Sequence, residues 1–139
     1  MYLIQRAGLF FDTSEIPDDA MIVSANLWFR AYEVWGPPYD YVIVSGDTLR
    51  EPLIPENYYY LLPATVSLGS TPRDWYKRLY TIDLNALGLA KINTKGITKL
   101  ALRTSRDIDT IQPTGWENTR IYAAETCYKP HLTVSYWKP

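Results

Sequence analysis

The chain is poor in the residues that most often carry chemistry: among 139 residues there is one cysteine, Cys127, and one histidine, His131. A lone cysteine excludes an intrachain disulfide framework, and a thiolate zinc site would need ligands from elsewhere. Cys127 has no base beside it in sequence, so a buried or incidental thiol is expected rather than a nucleophile. No apolar run approaches the roughly twenty residues of a membrane-spanning helix, and the first residues lack the basic, apolar and small-residue succession of a signal peptide. Blocks of one charge are also missing. Lys+Arg 14 against Asp+Glu 15 leaves a net charge of -1 and a pI near 5.8, which argues against a dedicated nucleic-acid or anionic-membrane surface.

Phenylalanine is scarce at three residues, whereas tyrosine reaches twelve and tryptophan five. Such rings combine a large contact area with a polar handle, which suits wet sheet faces, interfaces and sugar-binding surfaces. Most are expected in the core or on sheet faces. A chain of this length buries roughly two thirds of the surface it would expose unfolded, enough for one core, so a single domain over residues 1–139 is expected.

What the sequence does have is strand patterning. Leu9-Phe10-Phe11-Asp12 ends in the turn residues Asp12-Thr13-Ser14 and Pro17-Asp18-Asp19. Val23, Ala25, Leu27, Phe29 and Ala31 then alternate with Ser24, Asn26, Trp28, Arg30 and Tyr32, the period of a half-buried strand. Gly36-Pro37-Pro38 breaks it, because neither proline donates to a ladder. Val42-Ile43-Val44 marks another strand, and residues 48–57, with prolines at 52 and 55, read as loop. Tyr58 to Val66 reads as a strand interrupted by Pro63, and Ser70 to Trp75 as a single helical turn. Tyr80, Ile82 and Leu84 alternate again, followed by a short helix near Asn85 to Leu89. In Ile97 to Thr104, Leu100 and Leu102 fall on one face and Lys99, Ala101 and Arg103 on the other. Ser105 to Asn118 reads as a long surface loop, and Thr119 to Ala124 and Leu132 to Trp137 as two last strands. About seven to nine short strands with little helix predict an all-β, antiparallel sandwich of jelly-roll type with short helical turns in its connections.

The chain resembles the extracellular β-sandwich modules called DNRLRE, or disaggregatase-related, domains and the related carbohydrate-binding-module-like jelly rolls. The resemblance is carried by Arg6, Leu9-Phe10-Phe11-Asp12, Ser14-x-Ile16-Pro17, Ala20-x-Ile22-x-Ser24-Ala25-x-Leu27, Tyr80-Thr81-Ile82-Asp83-Leu84 and Pro130-His131-Leu132-Thr133-Val134-Ser135-Tyr136. It spans nearly the whole chain but consists of fold-forming residues and brings no catalytic set. It implies core strands at both ends of the chain and a short helical stretch after the central segment. Members carry a further N-terminal segment ahead of the position matched by Arg6. The domain is therefore expected to be compact, truncated, or completed by a strand from another chain.

Candidate contact residues are aromatic rings bordered by polar partners: Trp35, Tyr39 and Tyr41 around the Gly-Pro-Pro turn, Trp75 with Arg73 and Asp74, and Trp116 with Glu117 and Asn118. Tyr59, in Tyr58-Tyr59-Tyr60, lies opposite its neighbours if extended and would stand outside the core. Each has a plainer role, packing a loop onto the sandwich. Asp107 and Asp109 are spaced to converge across a loop on Ca²⁺, and Asp12 or Glu15 to line another such turn, but neither group matches a specific ligand spacing, and an ordinary solvated turn is preferred. No cofactor or metal is otherwise expected. His131 reads as a sheet-surface residue on the face opposite Leu132. Glu15, Glu117 and Glu125 form a glycosidase pair only at a carboxylate separation that sequence does not show.

The expected function is therefore a non-catalytic structural or adhesive module of an extracellular, cell-surface or virion-surface assembly. Its partners would be copies of itself or neighbouring domains of a larger surface protein, with no nucleic acid and no membrane span. A carbohydrate-binding accessory domain, contacting a glycan, is the alternative. A small glycan-active enzyme is the third reading, and it needs paired carboxylates in a cleft.

Overall fold

A computed structural model describes residues 6–115, 117–123 and 125–139, with the backbone alone at Asn118. Its elements in chain order are β1 (Ala7–Asp12), β2 (Met21–Trp35), β3 (Asp40–Ser45), α1 (Asn57–Tyr60), β4 (Gly69–Pro72), β5 (Leu79–Asp83), α2 (Ala86–Leu89), β6 (Ile97–Thr104), α3 (Ser105–Ile108), β7 (Asn118–Ile121) and β8 (His131–Trp137). They form two four-stranded antiparallel sheets packed as a sandwich. The first has the order β1-β6-β3-β4. In the second, the long β2 is central: β5 pairs with Asn26–Arg30 on one side, while β8 and then β7 pair along the other.

The alternation in β2 sets the sandwich. Ala25, Leu27, Phe29 and Ala31 are buried while Trp28 and Arg30 face outward. A bulge between Ala31 and Glu33 then shifts the phase, so that Val34 turns inward and Trp35 out. A second irregularity, between Ile22 and Ser24, turns Val23 out to 60 % exposure, which corrects the inward place its spacing predicts. Gly36, at φ 102, supplies the left-handed backbone that ends the strand. Between the sheets, Phe29 stacks on Tyr80 with ring centroids 5.3 Å apart, and Tyr41 meets both rings edge-on. Burying each ring or large aliphatic chain contributes about 1.5–3 kcal/mol.

The first sheet is buried on both faces. Val42, Val44 and Ala101 point away from the sandwich core into a second cluster with Leu49 and Leu61, joined by Phe10, Ala64 and Ile108. This explains the unbroken run Tyr41 to Val44, since a strand covered on both sides has no polar face. The cover is the connection between β3 and β4. Gly46 lets it leave closely, because a Cβ there would lie 2.9 Å from the Leu100 carbonyl.

Three expectations are corrected in the connections. Tyr58–Val66 is not a strand: the Asn57 amide oxygen accepts from Ile54 N–H at 2.8 Å and Tyr58 N–H donates to Pro55, which coils the chain into α1. Ser70–Trp75 is not a helical turn but begins in β4, paired with β3, with a tight turn following at 74–77. The stretch after Thr104 first forms α3, where the Thr104 hydroxyl caps Asp107 N–H at 3.1 Å.

Candidate functional site

Two of the sequence-predicted aromatic groups merge at one end of the sandwich. Arg73, buried, lies between Tyr39 and Trp75, its guanidinium 4.6 Å from each ring centroid. It donates to the carbonyls of Trp35 at 3.1 Å and Gly36 at 2.8 Å, so it fastens the β2–β3 turn to the chain after β4. Its Nε has no partner among the described residues. Asn118 pairs with Trp35 in the β2–β7 register, which brings the third group's backbone to the same end. Trp116 lies outside the described residues.

Within this cluster Trp35 and Trp75 keep about half their surface, but Tyr39 and Tyr41 are buried, which corrects their place among the exposed candidates. The reason is register: Tyr41 follows the inward row of β3, and both hydroxyls meet the Thr119 hydroxyl, Tyr41 at 2.9 Å. Burial pushes the Tyr41 hydroxyl above its ordinary value. Tyr59 stands apart, exposed on α1, with the edge of its ring against Tyr58.

The acidic candidates resolve differently. Asp107 accepts from Arg6 Nε at 2.8 Å and Nη2 at 2.7 Å, and from Arg103 Nε at 2.7 Å. Both arginine side chains and the carboxylate are almost fully buried. Burial acts to raise the Asp107 value, but the bonds from Arg6 and Arg103 outweigh it and hold the carboxyl below its usual range. With two cations on its oxygens, Asp107 is a structural counter-ion, which corrects its expected place in a solvated turn and leaves it unavailable to the alternative, a Ca²⁺ pair with Asp109. Asp12 accepts from Ser14 N–H and Oγ, a closed local turn. Glu117 Oε1 lies 2.7 Å from Arg106 Nε, an ion pair without hydrogen-bond alignment. No cluster of three or more His, Cys, Asp or Glu suited to a metal occurs among the described residues. Cys127 is exposed.

The surface that sequence reasoning missed is the outer face of the second sheet. Trp28, Arg30, Tyr76, Lys77, Arg78, Leu79 and Tyr128 line an open groove of about 740 Å³. Arg30 stacks 4.2 Å from the Tyr128 ring centroid, Tyr128 leans on Tyr122, and Tyr122 on Tyr32. On the other side of Trp28, His131 packs with centroids 5.0 Å apart, outward as its alternation with Leu132 predicts. The rim is held from beneath. The Tyr80 hydroxyl, rising from the core, accepts from Asp74 N–H at 3.1 Å and lies within bonding reach of the Asp74 and Lys77 carbonyls. Arg78 closes the same turn on the Trp75 carbonyl at 3.0 Å.

Among the described residues, three cations line this groove and no carboxylate does. The signal for it was present in part: Trp28, Arg30 and Tyr32 share one face of an alternating strand. That turn 76–79 and Tyr128 fold onto that face depends on strand pairing, which spacing does not reveal. No helix among the described residues is long and apolar enough to cross a membrane. Compared with protein-family models, with curated protein sequences and with solved structures, the chain matches none.

Proposed function

We propose that residues 1–139 form one jelly-roll-type domain of the DNRLRE, or disaggregatase-related, kind. Its role in this reading is that of a non-catalytic structural or adhesive module in an extracellular, cell-surface or virion-surface assembly, working by contact through the outer face of its second sheet. The observation that carries the reading is the asymmetry of cover: the first sheet is packed on both faces, whereas the second presents aromatic rings to solvent together with Arg30, Lys77 and Arg78, none of which pairs with a carboxylate among the described residues. Exposed rings pre-set by neighbours lose little freedom on contact, so they suit an interface.

A second reading, a carbohydrate-binding accessory domain, is favoured by a different observation. Trp35 and Trp75 stand half-exposed at one end, beside an arginine already fixed by two carbonyls. Flat, half-exposed rings held in place from beneath suit the apolar face of a sugar.

Light scattering over a dilution series, paired with an oligosaccharide binding screen, separates the two on one sample. Assembly that grows with concentration and is lost in Trp28→Ala supports the first. A stable monomer that binds a saccharide through Trp35 and Trp75 supports the second. A monomer that cleaves glycosidic bonds contradicts both.

A further inference from the structure

We infer that the occupant of the groove is the acidic turn of a second copy of this chain. The inference rests on the contact reading above and adds the partner's identity. Between Arg6 and Arg30 the sequence holds Asp12, Glu15, Asp18 and Asp19 and no lysine or arginine. All four carboxylates are exposed at the turn joining β1 to β2, and none forms an ion pair among the described residues. Lys95 adjoins the Gly96 that receives Thr13 N–H, and Lys138 follows the Trp137 that pairs with Met21, but neither pairs with these carboxylates among the described residues.

The turn is built to hold its shape. Ile16 N–H donates to Thr13 at 3.1 Å and Ala20 N–H to Pro17 at 3.0 Å, giving two successive turns. Thr13 is buried and its hydroxyl meets that of Thr98 at 2.6 Å, which roots the loop in the first sheet. A turn already held by its own hydrogen bonds loses little entropy on docking.

The groove answers it in sign and in character. Arg30, Lys77 and Arg78 supply positive charge, and Trp28, Leu79 and Tyr128 supply apolar surface for the half-buried Ile16 and Pro17 that separate Glu15 from Asp18. Opposite fields on two different parts of one molecule steer copies together and disfavour like-to-like pairing. Turn and groove are different patches, so the contact closes either reciprocally, as a two-fold pair in which each turn fills the other copy's groove, or head-to-tail, as a ring or an open chain. That geometry suits a repeated surface subunit.

A charge-swap experiment tests this by light scattering on the full chain. The wild type is expected to exceed its 16.0 kDa monomer mass as concentration rises, and to dissociate as salt shortens the screening length from about 10 Å towards about 3 Å. Asp18→Lys with Asp19→Lys, and separately Lys77→Glu with Arg78→Glu, should each weaken association about tenfold or more, equivalent to about 1.4 kcal/mol. All four positions are exposed, so both variants should fold, which circular dichroism checks. An equimolar mixture should reassemble, since each altered turn then meets a groove of opposite sign. A mixture that stays dissociated overturns the inference, as does a turn variant that assembles like the wild type. If only the groove variant dissociates, the occupant assigned here is wrong while the contact surface stands. A monomeric wild type also overturns it, and the saccharide screen then decides between the readings beneath it.

Discussion

Arg103 and Arg30 project from the outer faces of the two sheets, and they have opposite fates. Arg103 is buried: it pairs with Asp107 and donates to the carbonyls of Leu61, Leu62 and Ala64 at 2.9, 3.3 and 2.7 Å, pinning the connection that covers the first sheet. Arg30 faces solvent over a tyrosine ring, with no carboxylate paired to it among the described residues. The same residue type thus closes one face and arms the other. What separates them is the chain available to cover each sheet: the β3–β4 connection reaches over the first, and among the described residues nothing comparable crosses the groove on the second.

The largest effect should come from breaking the closed face. Asp107→Ala leaves Arg6 and Arg103 buried without a counter-ion and should cost about 3–5 kcal/mol in urea unfolding. A loss below 1 kcal/mol would mean that water already reaches the triad. Next, Leu61→Ala empties part of the outer cluster and should cost about 2–4 kcal/mol, loosening the 46–66 connection ahead of the sandwich core in hydrogen exchange.

Acid should act on the same face. The folded Asp107 value lies below its unfolded value of about 3.9, so its contribution is complete above that pH and is lost as pH falls through the lower folded value. Thermal melts of the wild type should therefore fall steeply below about pH 4, and Asp107→Asn should lack that component. Parallel melting curves for the two proteins would contradict the assignment.

The open face should give the smallest stability change and the largest change in association. Trp28→Ala removes a ring packed on His131 and should cost only about 1 kcal/mol of stability, while abolishing concentration-dependent assembly. A large stability loss would show that Trp28 is core, and the contrast between the faces would fail.

The parts of this contrast that depend on short-range pattern were legible in the sequence. The period-two rows of β2, β5 and β6 mark the inward residues, Val23 excepted, because one face of each meets the same core. The rest depends on what lies across from a residue. Arg103 alternates onto the face opposite Leu100 and Leu102, and only the folding-over of residues 46–66 makes that face an interior. Tyr39 and Tyr41 flank a Gly-Pro-Pro turn, a surface-like context, yet pairing with β6 and Thr119 draws their rings into the core. Asp107 and Asp109 share a loop-like spacing, but Arg6, 101 positions away, decides what Asp107 does.

Hydroxyl-radical footprinting of concentrated against diluted protein measures the open face most directly. Trp28 and Tyr128 should become protected on concentration while Tyr59 and Tyr60, on the connection covering the first sheet, stay reactive. Protection of Tyr59 and Tyr60 with unchanged Trp28 and Tyr128 would place the contact on the wrong sheet and contradict the account.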